Sequence, residues 1–311
     1  MSQKYTIQSV HYSFYNKYLS DIIRQKMRYT FKQFKAEYPD DDACLEAVFQ
    51  QRFGDLEVCP GCSAETTFYR VKKRQCYSCK WCGHQLFPLA DTIFRKTTTS
   101  LWNWFYAIYL FGTSKNGVSA KELERHLGVS YKCAWRMAKQ IRLLMTQEGL
   151  VLGDNDTPVE ADETYAPSRK HPMKYGRSKK QSIFGMVERD GLVKARHVRS
   201  TGARVLLPEI QRSIAPGTHI HTDEWGAYRK LPQLGYSHTT VNHSELEYVR
   251  GTAHTNTIEG FWSQLKRSID GTYHAVSPKY LQLYVDEFAF RYNHRNGAVG
   301  RTLLGMAGKR V

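Results

Sequence analysis

The carboxyl-terminal half alternates short extended segments with amphipathic ones, which is typical of an α/β unit. Strands are predicted over about 159–165, 182–188, 192–198 and 218–223, with a further short strand over about 238–242. Helices are predicted over about 202–213, from Trp225, and from Thr257, where apolar residues recur at i, i+3, i+4 and i+7. Three strands as a meander, followed by a helical crossover to a fourth, predict a sheet with helices packed on it.

The amino-terminal half contains helical patterns of a different kind. One helix is predicted around 42–49, and an aromatic helix over about 100–111, with Ser100 as its N-cap and Gly112 as its end. Residues 118–144 contain two helical segments separated by Gly128 and Ser130, which is a helix-turn-helix pattern. Two short helices around a glycine can imitate this motif. The basic side chains on its second helix favour DNA recognition, and the candidate DNA-binding residues are Lys132, Arg136 and Lys139.

Four of the seven cysteines have the spacing of a zinc ribbon. The pairs Cys59–Cys62 and Cys79–Cys82 are separated by 16 residues, which fits the C-x₂-C…C-x₂-C pattern of a structural zinc site. Cys76 forms its own C-x₂-C with Cys79 and is an alternative fourth ligand. We favour Cys82, because the glycine that follows it suits a tight knuckle. Disulfides are the competing interpretation, but an odd number of cysteines and the lack of a secretory signal favour reduced thiols.

These patterns predict four regions, and Gly153 to Pro158 is the clearest boundary because it is polar and rich in turn-forming residues. The predicted regions are an N-terminal helical segment (1–54), a zinc ribbon (55–92), a helical DNA-binding region (93–150) and a catalytic domain (155–311).

The excess of basic over acidic residues indicates which kinds of partner the protein attracts. With 45 Lys and Arg against 29 Asp and Glu, the formal charge is +16 and the pI is about 9.5, which favours attraction to a polyanion such as DNA, although RNA and acidic membranes also attract basic proteins. The longest apolar stretch, Leu101 to Phe111, is too short to span a bilayer. We expect a soluble cytoplasmic protein with no membrane partner.

A basic segment lies between the first two predicted strands. It is either a solvated loop or an arm that contacts phosphates near the active site, and both interpretations stay open. Its cations are Arg169, Lys170, Lys174, Arg177, Lys179 and Lys180.

Three acidic residues stand in settings that suit phosphoryl-transfer chemistry. Asp162 and Asp223 lie on predicted strands, and Glu259 lies on a predicted amphipathic helix. Most acidic residues are simply solvated. Carboxylates can, however, hold a pair of Mg²⁺ or Mn²⁺ ions that act on a phosphodiester. Their neighbours Glu163 and Glu224 are set aside, because strand alternation sends them to the other face and aspartate holds a metal more rigidly.

A lysine supports the same interpretation. Lys266 follows Glu259 by seven residues, or two helical turns. It therefore lies on the same helix face, where it can hold a phosphate beside the metal ions.

The segments around these residues resemble the zinc-ribbon group of bacterial insertion-sequence transposases. These are DDE enzymes with an RNase H-like fold, and the resemblance extends through the ribbon and covers most of the chain. The segments that carry it are Asp162 to Tyr165, His221 to Trp225, His254 to Ser263, Gly271 to Lys279 and Asp286 to Asn293. The resemblance implies that Asp162, Asp223 and Glu259 are the metal-binding triad and that Lys266 is the helix lysine of this group.

The expected fold is therefore α/β: an RNase H-like mixed sheet with flanking helices, preceded by a small zinc ribbon and a helix-turn-helix segment. The expected function is Mg²⁺-dependent cleavage and strand transfer at the terminal inverted repeats of the chain's own element. The partners would be double-stranded transposon ends and target DNA, bound by a homo-oligomer that is at least a dimer, associated with the bacterial nucleoid. A DNA-binding regulator and a stand-alone metal-dependent nuclease are the alternatives.

Overall fold

The computed structural model describes residues 29–153, 157–166, 181–241, 255–297 and 299–311. They divide into two compact units. The first holds the described residues up to Ser114 together with His294–Val311, and the second is Lys115–Asn293. The basic segment at 169–180 and the turn at 154–156 lie outside the described residues.

Helices and strands follow one another in the order that the sequence indicates. The helices are α1 (Phe31–Glu37), α2 (Asp41–Phe53), α3 (Leu101–Thr113), α4 (Ala120–Leu127), α5 (Tyr131–Leu144), α6 (Ala203–Ser213), α7 (Asn256–Ser268), α8 (Leu281–Asn293) and α9 (Val299–Gly305). The strands are β1 (Phe68–Val71), β2 (Cys76–Cys79), β3 (Gln85–Leu86), β4 (Val159–Ala166), β5 (Gln181–Glu188), β6 (Val193–Val198), β7 (His219–Asp223) and β8 (Ser237–Val241).

The first unit packs helices beside a small three-stranded sheet. The sheet is antiparallel, in the order β1-β2-β3. Ser100 caps α3 by accepting a hydrogen bond from the Asn103 backbone N–H at 3.2 Å, as predicted. Gly112 does not end this helix, which continues to Thr113. Instead, a Cβ at Gly112 would lie 2.0 Å from the Cα of Gly300, so this glycine lets α3 and α9 approach closely.

The second unit is built on a five-stranded mixed sheet, in the order β6-β5-β4-β7-β8. Strands β4, β5 and β6 form the predicted antiparallel meander, whereas β7 pairs parallel with both β4 and β8. Helix α6 makes the crossover from β6 to β7. The mixed sheet with flanking helices confirms the RNase H-like fold class.

One predicted helix is replaced by shorter turns. The helix start at Trp225 is a 3₁₀ turn, Gly226–Tyr228, followed by a second one at Pro232–Leu234. Only the 13 residues from 224 to 236 connect β7 to the parallel strand β8, so the chain has no room for a full crossover helix.

Both faces of the large sheet are buried. On one face, Phe184 and Met186 pack with Leu206 and Ile210 of α6. On the other face, strand residues pack against two helices; the side chains that α7 and α8 contribute include Ile258, Phe261, Trp262, Leu265, Leu281, Val285 and Phe288. Since α7 carries two of the predicted site residues, this second face determines where they lie.

The predicted helix-turn-helix is present and belongs to the second unit. Helices α4 and α5 are joined through Gly128, which adopts the left-handed conformation (φ 63°), and Ser130 caps α5 through the Cys133 N–H. Among the described residues, no helix has the length and apolar character needed to cross a bilayer.

A buried ion network fixes α5 to α8. Arg142 donates from Nε to Glu287 at 2.8 Å, and Arg291 bonds the same carboxylate at 2.8 Å. Burial acts to raise the pKa of Glu287, but the two guanidinium charges outweigh it and hold this pKa below its ordinary value. The helix-turn-helix is therefore anchored to the helical layer of the large sheet.

Candidate metal and catalytic site

Two central strands bring Asp162 and Asp223 together. Strands β4 and β7 pair in parallel, with Val159 opposite Ile220 and Glu160 opposite His221. Three residues beyond the first of these pairs, the same register places Asp162 beside Asp223. Because in-register neighbours of a parallel pair share a face, both aspartates lie on the α7 side of the sheet.

A third carboxylate, which the sequence argument had set aside, joins them. Glu163 lies opposite Phe184 and therefore on the α6 face, as strand alternation predicts. Its carboxylate nevertheless reaches the group: one oxygen each of Asp162, Glu163 and Asp223 all lie within 4.8 Å of one another. Tyr228 donates its hydroxyl to Glu163 Oε1 at 2.6 Å and holds the carboxylate there. Alternation alone misses this residue, because it describes the direction of Cβ and not the reach of a long side chain.

Burial and crowding raise the proton affinity of these carboxylates. Desolvation, reinforced by the charges of Asp223 and Glu259, raises the pKa of Asp162 to about 6, against a hydrogen bond from Trp262 that lowers it. Desolvation and the charges of Asp223 and Asp162 raise the pKa of Glu163 to about 7. Repulsion among these half-buried carboxylates is the condition that a bound cation relieves.

Glu259 and Lys266 lie on the solvent-exposed side of α7. Glu259 is close enough for its charge to raise the pKa of Asp162, but it lies outside the group within 4.8 Å. Its carboxylate instead accepts a hydrogen bond from Thr255 Oγ1 at 3.3 Å, toward the start of the helix. Lys266 follows two turns later on the same face.

Close packing of α7 on the sheet fixes where these residues lie. Trp262 donates its indole N–H to Asp162 Oδ2 at 2.9 Å. Gly185 is the β5 partner of Asp162, and a Cβ there would lie 2.4 Å from the Trp262 ring and 3.0 Å from Ile258. Glycine at this position therefore allows the helix to lie against the strands beside Asp162.

The donor set suits a hard divalent cation. Asp162, Glu163 and Asp223 offer only carboxylate oxygens, which Mg²⁺ and Mn²⁺ prefer over nitrogen or sulfur. These three residues could hold such an ion, and Glu259 lies next to them on α7. The predicted triad members therefore lie close together at the central strands β4 and β7, and Glu163 is added to them.

The first unit contains a second cluster of metal-ligating groups. The Sγ atoms of Cys59, Cys62, Cys79 and Cys82 all lie within 4.8 Å of one another. The distance is 3.7 Å between Cys59 and Cys82 and 4.0 Å between Cys62 and Cys79. Cys76 is buried on β2 and is not in the cluster. The fold thus assembles the four cysteines favoured from the sequence.

The local electrostatics suit a cation here as well. Desolvation acts to raise the pKa of the Cys79 thiol, but hydrogen bonds from the Cys82 and Trp81 backbones outweigh it and lower the pKa to about 6. For Cys82, a hydrogen bond from the His84 backbone acts in the lowering direction, but the neighbouring thiols raise the pKa to about 12. Ionisation of one thiol therefore disfavours ionisation of its neighbours. A bound metal ion such as zinc would stabilise all four thiolates together.

The candidate DNA-binding cations lie on α5 with unequal exposure. Lys132 is exposed near the start of the helix, whereas Arg136 and Lys139 are half-buried. The Nζ atom of Lys139 lies 5.6 Å from the centre of the Tyr280 ring. Lys132 is therefore the most accessible of the three.

Family models match both parts of the chain. A model described as an ISXO2-like transposase domain, of the DDE type and the IS1595 group, matches residues 152–293. A transposase zinc-ribbon model of the same group matches residues 39–85. The first span contains all three predicted acidic ligands and Lys266, and the second contains all four clustered cysteines.

A curated relative and a solved structure were also found. The chain is 28% identical to an uncharacterized protein in transposable element ISH50 of Halobacterium salinarum, over 78% of this chain and 87% of the relative. It also matches a chain in the structure of the simian T-cell lymphotropic virus intasome bound to the PP2A regulatory subunit B56 gamma, with 18% identity and a TM-score of 0.27. That match covers 55% of this chain and spans 61% of the intasome structure's chain.

Proposed function

We propose that this chain, an insertion-sequence transposase of the IS1595 group by its two domains, binds the terminal inverted repeats of its own element and catalyses DNA strand cleavage and strand transfer. The observation that carries the proposal is the convergence of Asp162 and Asp223 on the central strands of the sheet, beside the helix that bears Glu259 and Lys266. All four residues lie within the span that matches the transposase domain.

Each acidic residue has a defined task in this proposal. Asp162, Asp223 and Glu259 are the ligands of the catalytic ions, as the family resemblance implies. Bound Mg²⁺ or Mn²⁺ would activate the attacking hydroxyl and stabilise the leaving oxygen of a phosphodiester. The Glu259 side chain has to turn from Thr255 toward the aspartates, a movement that the exposed face of α7 allows.

Lys266 would hold DNA beside the carboxylates. It is exposed and lies about 10.5 Å along the helix axis from Glu259, at 1.5 Å per residue. An ammonium group at this distance can neutralise a phosphate flanking the one under attack. The same cation offsets the repulsion between the acidic cluster and the DNA backbone.

Recognition of the end would fall to the helix-turn-helix, with the ribbon as a second contact. Lys132 lies in the first turn of α5, the part of a recognition helix that contacts base edges. The formal charge of +16 adds the sequence-independent attraction to DNA. Because cleavage and joining of two ends require two active sites, we propose that the chain acts as at least a dimer on DNA.

The test is an assay on DNA that carries the inverted repeats flanking the gene. Purified zinc-loaded protein, incubated with Mg²⁺ and labelled ends, should nick at the repeat boundary and join the released 3′ end to a target duplex. Shuffled repeats are the substrate control, and Asp162→Asn is the protein control. Cleavage without joining would indicate a stand-alone nuclease, and end binding without cleavage would indicate a regulator.

A further inference from the structure

A buried glutamate, Glu160, lies two residues before Asp162 on the same strand and the same face. Its side chain is fully buried, and its charge is paired with Arg189, whose Nε lies 3.1 Å from Oε1. A buried carboxylate is costly unless its oxygens are bonded, so its partners show what it does.

Most of these partners belong to the start of α7. Glu160 Oε2 accepts hydrogen bonds from the backbone N–H groups of Thr257 at 2.9 Å and Ile258 at 3.1 Å. The hydroxyl of Thr257 donates to Oε1 at 2.9 Å. Two N–H groups that a helix leaves unpaired in its first turn are thus bonded by a residue from β4.

The residue that would ordinarily cap the helix is engaged elsewhere. Thr255 stands at the N-cap but makes no side-chain cap hydrogen bond. Its hydroxyl donates to Glu259 instead, at 3.3 Å. Glu160 therefore caps α7 in place of Thr255.

Two polar contacts consequently fix α7 against β4. Glu160 holds the first turn, and Asp162 accepts the indole N–H of Trp262, at 2.9 Å, one turn later. Glu259 lies between these two contacts on the helix. The position of Glu259 relative to Asp162 therefore depends on Glu160, a strand residue that bonds the start of the helix and is not part of the acidic cluster.

We infer that Glu160 is a positioning residue for the catalytic site: by capping α7 it holds Glu259 in register with Asp162 and Asp223. The inference rests on the proposed function for its consequence in catalysis. Its structural content, namely that a neutral side chain at position 160 loosens the start of α7 and weakens metal binding, is independent of the DNA substrate.

The deciding variant is Glu160→Gln, which keeps the shape but replaces one acceptor oxygen with a donor. The matched control is Glu209→Gln, which removes a carboxylate from an exposed ion pair with Arg212 in the same unit. Titration calorimetry with Mn²⁺ on the zinc-loaded full chain should show affinity weakened about 10–100-fold for Glu160→Gln, as when a residue supporting a metal ligand is changed. Glu209→Gln should bind as the wild type does.

Hydrogen exchange and activity complete the test. The amides of Thr257 and Ile258 should exchange faster in Glu160→Gln, and the Mg²⁺ concentration for half-maximal end cleavage should rise together with the Mn²⁺ dissociation constant. A lower melting temperature with unchanged Mn²⁺ affinity would reduce Glu160 to a structural role and overturn the inference.

A second variant keeps the inference testable if Glu160→Gln does not fold. Thr257→Val removes only the hydroxyl bond to Oε1 and should weaken Mn²⁺ binding in the same direction by a smaller factor; unchanged affinity there would contradict the inference. Wild-type protein that binds Mn²⁺ through Asp162 but leaves DNA uncut would refute the proposed function alone. Wild-type protein with no Asp162-dependent Mn²⁺ binding would overturn the inference about Glu160.

Discussion

The cysteine cluster and the acidic cluster are both suited to metal ions, but they are assembled in opposite ways. All four clustered thiols come from two short turns within residues 59–82, and their spacing is visible in the sequence. The acidic cluster joins β4 to β7, and Asp223 lies 61 residues along the chain from Asp162. The cysteine cluster is a local sequence motif, whereas the acidic cluster forms only when β4 and β7 pair in the sheet.

The two clusters are also expected to relate differently to stability. Metal bound by four thiolates ties together a sheet of three short strands that has little core of its own, so it contributes folding free energy. Half-buried carboxylates that repel one another cost stability, and the packing of the surrounding large sheet has to offset that cost. Metal binding by the cysteine cluster therefore stabilises the ribbon, whereas the acidic cluster is held in place by the fold of the large sheet.

The largest expected effect is the loss of the ribbon when one of its ligands is removed. Cys82→Ser should lose about one zinc ion per chain and unfold the ribbon, because zinc contributes roughly 10–16 kcal/mol in comparable small domains. Metal analysis and circular dichroism measure both effects.

Cys76→Ser is the matched control for Cys82→Ser, since Cys76 is buried on the same strand as Cys79 but does not belong to the cluster. It should retain the zinc. Retention of zinc in Cys82→Ser together with its loss in Cys76→Ser would transfer the fourth ligand to Cys76.

The next largest expected effect is the loss of DNA cleavage when a carboxylate of the proposed catalytic site is removed. Asp162→Asn, Asp223→Asn and Glu259→Gln should each lower end cleavage by more than the roughly 100-fold seen when a supporting residue is lost. Unlike the cysteine variant, Asp162→Asn should be at least as stable as the wild type without Mg²⁺, because it removes a desolvated charge. Cleavage assays and thermal unfolding of the same preparations provide the measurement.

Glu163→Gln in the same assay tests the carboxylate that only the structure adds. A loss as large as that of Asp162→Asn would place Glu163 among the ligands. Turnover like that of the wild type in any variant would remove that residue from the catalytic set.

A smaller effect is expected at Lys266. Lys266→Ala should slow strand transfer roughly 10–100-fold, the equivalent of one charged hydrogen bond to phosphate. Stability should change by less than about 0.5 kcal/mol, because the side chain is exposed. Arg267→Ala, at the next exposed position on the helix, is the control. Equal joining rates for the Lys266 variant and the wild type would rule out a phosphate contact.

The smallest effect is a pH dependence confined to the acidic cluster. The folded-state pKa of Asp162 is about 6, against an ordinary value of 3.8, so without Mg²⁺ the folded state keeps a proton that the unfolded state has lost. The contribution of Asp162 to the unfolding free energy should therefore fall as the pH rises from about 4 to about 7. Added Mg²⁺ should restore it, raising the melting temperature more at about pH 8 than at about pH 5.

In Asp162→Asn, the rise in melting temperature caused by Mg²⁺ should be nearly the same at about pH 8 and at about pH 5. If Mg²⁺ raised the melting temperature of the wild type equally at both pH values, the ion would not be bound by the acidic cluster. In that case the acidic cluster would have no role in holding the ion.

Much of this architecture is determined by local patterns. Alternation and helical spacing predicted all five strands of the large sheet, helix α6 and the start of α7 to within one or two residues. The spacing of Cys59, Cys62, Cys79 and Cys82 predicted their cluster. Local patterns succeed here because strand period, helix period and knuckle spacing depend only on neighbours in the chain.

Other features required the tertiary structure. Sequence reasoning set Glu163 aside, and sheet pairing brought its carboxylate to Asp223. Gly112 was predicted to end a helix, but it serves the contact with Gly300. The return of residues 294–311 to the first unit has no local signal either.

The residue types that this protein offers to metal ions, and the elements that carry them, can therefore be predicted from local sequence patterns. Which carboxylates lie together, and the capping of α7 by Glu160 in place of the N-cap residue, depend on contacts between distant parts of the chain. The physical reason is range. Periodicity and ligand spacing act over a few residues, whereas the cost of burying a charge is settled by whichever distant donors the fold brings within hydrogen-bonding distance.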